Sequence, residues 1–174
     1  FPHTALLVCT TFMLSLSHSL GPAQARFSYS GEYGSAVGTS FSYSGDHLLG
    51  PITAFRIWEY SNSFIKAVQF QYAGKWSKTY GYEQGTYHEV TLFPGEDITQ
   101  VSGKHHTYVY QLIFITSHGR IFFFGQPAGE SFNAVPLEHG NSLAFISGHH
   151  NGVGITGIAM HWDMSSWHCT SGGH

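Results

Sequence analysis

The sequence predicts an all-β domain with threefold pseudo-symmetry, and three observations carry that prediction. The first is a repeated hairpin. Ile65, Val68, Phe70 and Tyr72 are spaced by three, two and two residues. Val109, Leu112, Phe114 and Thr116 repeat the spacing 44 residues later, and Ile155, Ile158, Met160 and Trp162 repeat it after a further 46. In the preceding strands Phe55, Val101 and Phe145 stand 46 and 44 residues apart, and Gly50-Pro51, Pro94-Gly95 and Gly140-Asn141 announce each copy. The second observation is poor helical periodicity, set against frequent β-branched and aromatic runs between turn residues. The third is composition: 174 residues with 21 Gly, 16% aromatic and only 10% charged residues suit one turn-rich domain and exclude a disordered chain. Propellers typically carry four or more blades, which leaves a three-sheet prism or a β-trefoil.

From the N-terminus, Ala5 to Ser17 is an apolar run too short to span a membrane, followed by the small-x-small pattern Ala23-Gln24-Ala25. Residues 1–25 therefore read as a signal peptide, with the chain delivered to a secretory granule lumen or the extracellular space. No later apolar stretch is long enough for a transmembrane segment. The expected strands are Thr53–Tyr60, Phe64–Tyr72, Tyr87–Phe93, Ile98–Lys104, Thr107–Thr116, Arg120–Gly125, Ser142–Ser147 and Val153–Trp162. Trp162 and Phe114, at matched repeat positions, are core candidates. The domain spans 26–163 and a flexible tail covers 164–174. Cys9 leaves with the signal peptide, so Cys169 stands alone in the tail as a free thiol or the link to a disulfide-bonded partner. A net charge of −3 without blocks of like charge excludes a nucleic-acid partner of the usual basic kind.

Several segments then become recognisable: Gly31–Phe41 (GEYGSAVGTSF), Gly50–Ala54 (GPITA), Thr91–Gly103 (TLFPGEDITQVSG), Ser131–Leu137 (SFNAVPL) and Ile158–Asp163 (IAMHWD). Together they resemble the jacalin-related lectins. The resemblance implies a β-prism of three four-stranded Greek-key sheets. It also implies glycan or glycoprotein binding, without a metal ion or other cofactor, in a shallow site built from three loops at one end. The first loop, Gly34-Ser35-Ala36-Val37-Gly38, would offer backbone N–H groups; Ala36-Val37 replaces the paired central glycines of close relatives, and no Lys follows Gly38 as a phosphate loop would need. In the second, Lys104-His105-His106-Thr107-Tyr108, Tyr108 would stack on a sugar face and Lys104 would attract sulfate or carboxylate. In the third, Gly152-Val153-Gly154-Ile155-Thr156, the family's Gly-x-x-x-Asp ends in Thr. A hydroxyl accepts more weakly than a carboxylate, so an ordinary mannose site is weakened. The carbohydrate-binding candidates are Gly34, Gly38, Lys104, His105, Tyr108, Gly152, Gly154, Ile155 and Thr156, with Gly38 and Gly154 as backbone donors.

The pairs His105-His106 and His149-His150 lie 44 residues apart, which puts them at equivalent hairpin tips. Three readings are open: a metal site, disfavoured because adjacent strand residues diverge and no thiolate or carboxylate accompanies them; a glycan site that turns cationic near pH 6; and polar decoration of exposed turns. Lys75, Lys78 and Lys104 are candidates for a spatial cluster. For catalysis, Glu96-Asp97 reads as a solvated turn, and no Gly-x-Ser-x-Gly, His-Glu-x-x-His or Cys-x-x-Cys motif is present, which favours a binder over an enzyme. The alternative to a lectin is a packaging scaffold with a degenerate sugar site, holding anionic glycans such as sulfated proteoglycans, or a granule membrane, in a pH-dependent way.

Overall fold

The computed structural model describes residues 26–164; the signal-peptide expectation for 1–25 and the Cys169 expectation fall outside the described residues. The chain runs β1 (Ser28–Gly34), β2 (Thr39–Ser42), a 3-10 turn (Asp46–Leu49), β3 (Ile52–Glu59), β4 (Ile65–Tyr72), β5 (Lys75–Trp76), β6 (Tyr80–Gly81), β7 (Thr86–Thr91), β8 (Ile98–His105), β9 (Val109–Thr116), β10 (Ile121–Gly125), β11 (Glu130–Ala134), β12 (Asn141–His150) and β13 (Ile155–Met164). The strands form three antiparallel sheets, ordered β1-β13-β12-β2, β5-β4-β3-β7 and β10-β9-β8-β11. Each centres on one predicted hairpin, with the strand that follows on one flank and the next on the other, which is Greek-key order. The first sheet obtains its flanks from the opposite end of the chain, so β1 and β2 complete the third repeat. One sheet departs from four strands: its outer flank is broken into β5 and β6, both paired with β4. Between them Ser77 turns its N–H and hydroxyl onto the Phe70 carbonyl at 2.9 and 2.7 Å.

The three-two-two spacing has a physical cause. In every hairpin the register slips once beside the tip, leaving Lys66, Tyr110 and Thr156 as extra residues in β4, β9 and β13. A bulge of this kind restores the inward face after one skipped residue, so the first interval is three rather than two. A second slip near the other end skips Thr53, Thr99 and Ala144. Here the sequence alignment is one residue out. Phe55 pairs with Phe70 and Val101 with Phe114, but the third copy pairs Ile146 with Met160. Ile146 is fully buried, whereas Phe145 faces outward and stacks on His161 at 4.1 Å. Period-2 alternation makes a one-residue error a change of face.

The inward sets of the three sheets meet in a single core dominated by aromatic rings, with Phe55, Phe70, Phe114, Tyr43 and Trp162 all buried. Two buried polar tips find partners, the Trp162 indole donating to Ser30 Oγ at 2.9 Å and the Tyr43 hydroxyl lying 2.9 Å from the Val68 carbonyl, whereas the buried Tyr72 hydroxyl has none among the described residues.

At the end away from the tips, Glu96 corrects the solvated-turn expectation. Its carboxylate is fully buried and accepts from Arg120, from the Thr116 hydroxyl at 2.6 Å and from the Phe93 N–H at 2.8 Å. Hydrogen bonding from Arg120 is the main cause of a carboxyl pKa near 2, with burial opposing it and Thr116 and Phe93 assisting. A carboxylate whose pKa is depressed by folding stabilises fully above its ordinary value of 4.5, and that stabilisation is lost as the pH falls towards 2. Glu96→Ala, which leaves Arg120 unpaired, is expected to lower unfolding free energy by about 3–5 kcal/mol in urea titrations. Glu96→Gln is expected to flatten the acid limb of the wild-type stability curve; an unchanged limb would show that Glu96 does not carry it.

Candidate functional site

The three hairpin tips converge at one end of the prism. Phe64 and Tyr108, which immediately precede β4 and β9, stack in parallel at 3.7 Å. Gly154 holds the same position before β13, and a Cβ there would fall on the Phe64 ring. Two rings fill the centre of this end and the third copy must be glycine. The Gly154 N–H is committed too, donating to Asn151 Oδ1 at 3.2 Å, so Gly154 is a packing residue and not the free backbone donor expected. Asn151 also donates to the Tyr108 hydroxyl at 2.7 Å, tying the second tip to the third. Tyr108 therefore has one face already covered by Phe64.

Around this centre lie three loops of one design, Gly34–Gly38, Gly81–Gly85 and Gly125–Gly129. The first glycine of each lies so close to the carbonyl of a bulged residue (Thr156, Lys66 and Tyr110) that a Cβ would collide with it, and the last lies equally close to the carbonyl of His150, Glu59 and His105. All six have positive φ, between 79° and 119°. The following N–H then caps the same carbonyl in each copy: Ser35 to Thr156 at 2.8 Å, Tyr82 to Lys66 at 2.9 Å and Gln126 to Tyr110 at 2.8 Å. The sequence carries Gly-x-x-x-Gly at all three loops, and a fourth time at Gly148–Gly152, where β12 meets the third tip.

In the first loop the Ser35 hydroxyl donates to the Thr107 carbonyl at 2.7 Å and the Thr156 hydroxyl to the Val37 carbonyl at 2.6 Å. The structure thus brings together Gly34, Gly38, Tyr108, Gly152 and Thr156, and adds Ser35, Thr107 and Asn151, which sequence reasoning missed. Thr156 is only 1% exposed, so its hydroxyl braces the loop instead of facing a ligand. Ile155 belongs to the core. Lys104 leans along its sheet to donate to Ser131 at 2.9 Å. Lys75 sits opposite Tyr72, at the other end of its sheet from the tips, and does not cluster with Lys104.

The histidine pairs are not equivalent as pairs. His105 pairs with Val109 and His150 with Ile155, so His105 matches His150, and the pairs are staggered by one residue. His105 packs by Tyr33 and Phe132, and His150 by Phe41 and Tyr80, at corresponding seams between sheets. In the third seam Glu59 replaces His, holding the Gly125 N–H and His88 Nε2, the latter at 2.9 Å. His149 lies 2.6 Å from Glu32, across Gly157. Among the described residues no group of three or more His, Cys, Asp or Glu is placed to hold a metal ion. Concavities lie at the other end, one a cleft lined by Thr99, Thr116, Ser117, Glu138 and His139.

A prism of three Greek-key sheets with a glycine loop braced against the third tip is a jacalin-type arrangement, and residues 30–161 match the jacalin-like lectin domain. The chain belongs to this lectin family. The mouse zymogen granule membrane protein 16 is 46% identical over 167 residues, covering 95% of this chain and 99% of the relative. The solved structure of a prostate-specific WGA16 glycoprotein lectin is similar at 33% identity and a TM-score of 0.70, covering 79% of this chain and 99% of that one. Artocarpin, described as a lectin with mannose specificity, shares the fold at 19% identity and a TM-score of 0.68, over 81% of this chain and 100% of its own. Among the described residues of this jacalin-like lectin, no helix is long and apolar enough to cross a membrane.

Two predictions follow the site geometry. Gly34→Ala is expected to displace the 34–38 loop, because the new methyl group meets the Thr156 carbonyl in a positive-φ backbone; amide exchange at Ser35 and Ala36 should accelerate at least tenfold while core amides keep their protection. The second concerns pH. Burial, Lys78 and His149 push the His150 ring below its ordinary value of 6.5, and its Nδ1 is buried without a partner. A base whose pKa is lowered by folding stabilises fully above 6.5 and less as the pH falls through its folded value. His150→Gln is expected to reduce the loss of melting temperature between about pH 7 and 5; an unchanged loss would refute the assignment.

Proposed function

We propose that this jacalin-like lectin is a secreted or granule-lumenal carbohydrate-binding protein that performs no catalysis and meets its glycan at the tip end of the prism. The observation that carries the reading is the hydrogen-bonded ring of loops: Ser35 to Thr107, Asn151 to Tyr108, and Thr156 to Val37. Three loops from distant parts of the chain are held in one arrangement before any ligand arrives, which lowers the ordering cost of binding. The exposed Gly38, Gly152 and Val37 and the partly open Tyr108 supply the contact surface. The names of the zymogen granule relatives and the secretory reading of residues 1–25 support the compartment.

A second reading, a packaging scaffold with a weakened sugar site, draws on one specific observation. Thr156 stands where the family's aspartate accepts sugar hydroxyls, and its hydroxyl is spent inside the protein. Neutral sugars then lose a charge-assisted acceptor, about 1.5–3 kcal/mol.

The test is a glycan array of neutral, sialylated and sulfated structures read at pH 7.4 and at about pH 6. Binding is expected, with Ser35→Ala and Asn151→Ala each weakening it about fivefold, the equivalent of one hydrogen bond. Silence of the wild-type protein across the array would overturn the lectin reading in favour of the scaffold.

A further inference from the structure

The pseudo-symmetry that builds the tip end also repeats its frame, and the copy in the first repeat carries different chemistry. Lys66 is the bulged residue of β4, the structural counterpart of Thr156, and the loop Gly81–Gly85 lies on its carbonyl as Gly34–Gly38 lies on that of Thr156. Where Thr156 turns its hydroxyl onto its own loop, Lys66 is only 7% exposed and its ammonium faces two rings, Phe64 at 4.1 Å and Tyr60 at 5.2 Å. Among the described residues, those rings are the partners of the ammonium: no hydrogen-bond acceptor or carboxylate pairs with it. Ring faces attract a cation but satisfy none of its three N–H donors. The stem is buried while the Nζ keeps contact with solvent, so the charge is partly desolvated and open to an incoming anion. Burial accordingly pushes the Lys66 ammonium below its ordinary value of 10.5, the direction an incoming anion would reverse.

We propose that Lys66, Tyr60, Tyr82 and the Gly81–Gly85 loop form a second saccharide subsite, which takes a sugar bearing a single negative charge. The ammonium receives the carboxylate or sulfate oxygens, and the exposed rings of Tyr60 and Tyr82 offer apolar faces to the pyranose. Glu83, exposed in the same loop, opposes a polyanion and so favours one charge per sugar. The proposal rests on the reading of the prism end as a glycan-binding surface, but it places the acidic sugar at the first hairpin and not at the Thr156 loop.

The experiment is an amide-resolved NMR titration of the secreted protein with 3′-sialyllactose, galactose 6-sulfate, lactose and inorganic sulfate. Both acidic saccharides, or one of them, are expected to shift the amides of Gly81 to Gly85 and Lys66 at concentrations where lactose and inorganic sulfate do not. Lys66→Met keeps the stem over Phe64 and should weaken this response at least tenfold, whereas Lys66→Arg should retain it; an unchanged melting temperature would confirm that both variants fold. Shifts confined to 34–38 and 107–108 would overturn the subsite while leaving the lectin reading intact. A response to inorganic sulfate equal to that of the sulfated sugar would overturn the saccharide assignment in favour of a simple anion site. No response to any saccharide at either loop would refute both.

Discussion

The constraint on which the rest of the structure depends is the single extra residue that each hairpin inserts as it leaves its tip. Without it, strict alternation would carry Ile65, Val109 and Ile155 to the outer face, and the core would lose a layer at the tip end. With it, those three side chains are fully buried and the following residue is re-aimed. The carbonyl of that residue becomes an anchor, and because a backbone anchor takes any side chain, it can be Lys66, Tyr110 or Thr156. The glycines at each end of the three loops follow from it, since only a residue without a Cβ can approach these carbonyls so closely. The bulge thus sets the core, the loop shape and the direction of the functional side chains at once.

The two ends of the prism divide the electrostatic labour. At the base, Glu96 collects donors from Arg120, Thr116 and Phe93, so the turn before β8, the edge of β9 and the approach to β10 are fixed by a buried charge with its partners in place. The guanidinium also lies 4.1 Å over Phe93, adding ring contact to the ion pair. At the tips the opposite rule applies. Rings and backbone carbonyls supply most of the order, with the Glu59 and Glu32 carboxylates holding Gly125 and His149, and Lys66 is left against aromatic faces with no counter-ion. An end held mainly by ring and backbone contacts leaves the Lys66 charge free for a ligand.

Much of this was legible in the sequence, for identifiable reasons. The central hairpins bury both members of each inward-facing cross-strand pair, so their apolar spacing is strong, and the interval of three marks the bulge. The flanking strands β1, β2, β5, β6 and β11 carry no such signal because all but β1 are short and each buries little along one face. Phe145 was preferred to Ile146 because both are apolar and only the register separates them. The same slip of one residue hid the stagger of the histidine pairs. The resemblance places Thr156 at the family's aspartate position, but its inward commitment depends on the path of residues 35–38, which no local pattern encodes. Lys66 gave no signal as a lone lysine in an apolar strand; only the threefold superposition of bulge and loop shows what it replaces.

That superposition bears on how such a domain changes what it binds. Three frames with the same backbone geometry carry a hydroxyl, an ammonium and a phenol at the re-aimed position, and each sits beside a loop whose interior residues differ: Ser-Ala-Val, Tyr-Glu-Gln and Gln-Pro-Ala. Replacing the side chain in one frame leaves the glycine-to-carbonyl contacts of the other two untouched, because those contacts use only backbone. The fold can therefore lose an acceptor at the third hairpin, where Thr156 closes onto Val37, and still present a donor at the first. Stability argues the same way. The residues that differ between frames lie at the bulges and in the loops, while the pairs that build the core, Phe55 with Phe70, Val101 with Phe114 and Ile146 with Met160, lie several residues further along the strands. A prism arranged in this way can vary its chemistry at three places without repacking its interior.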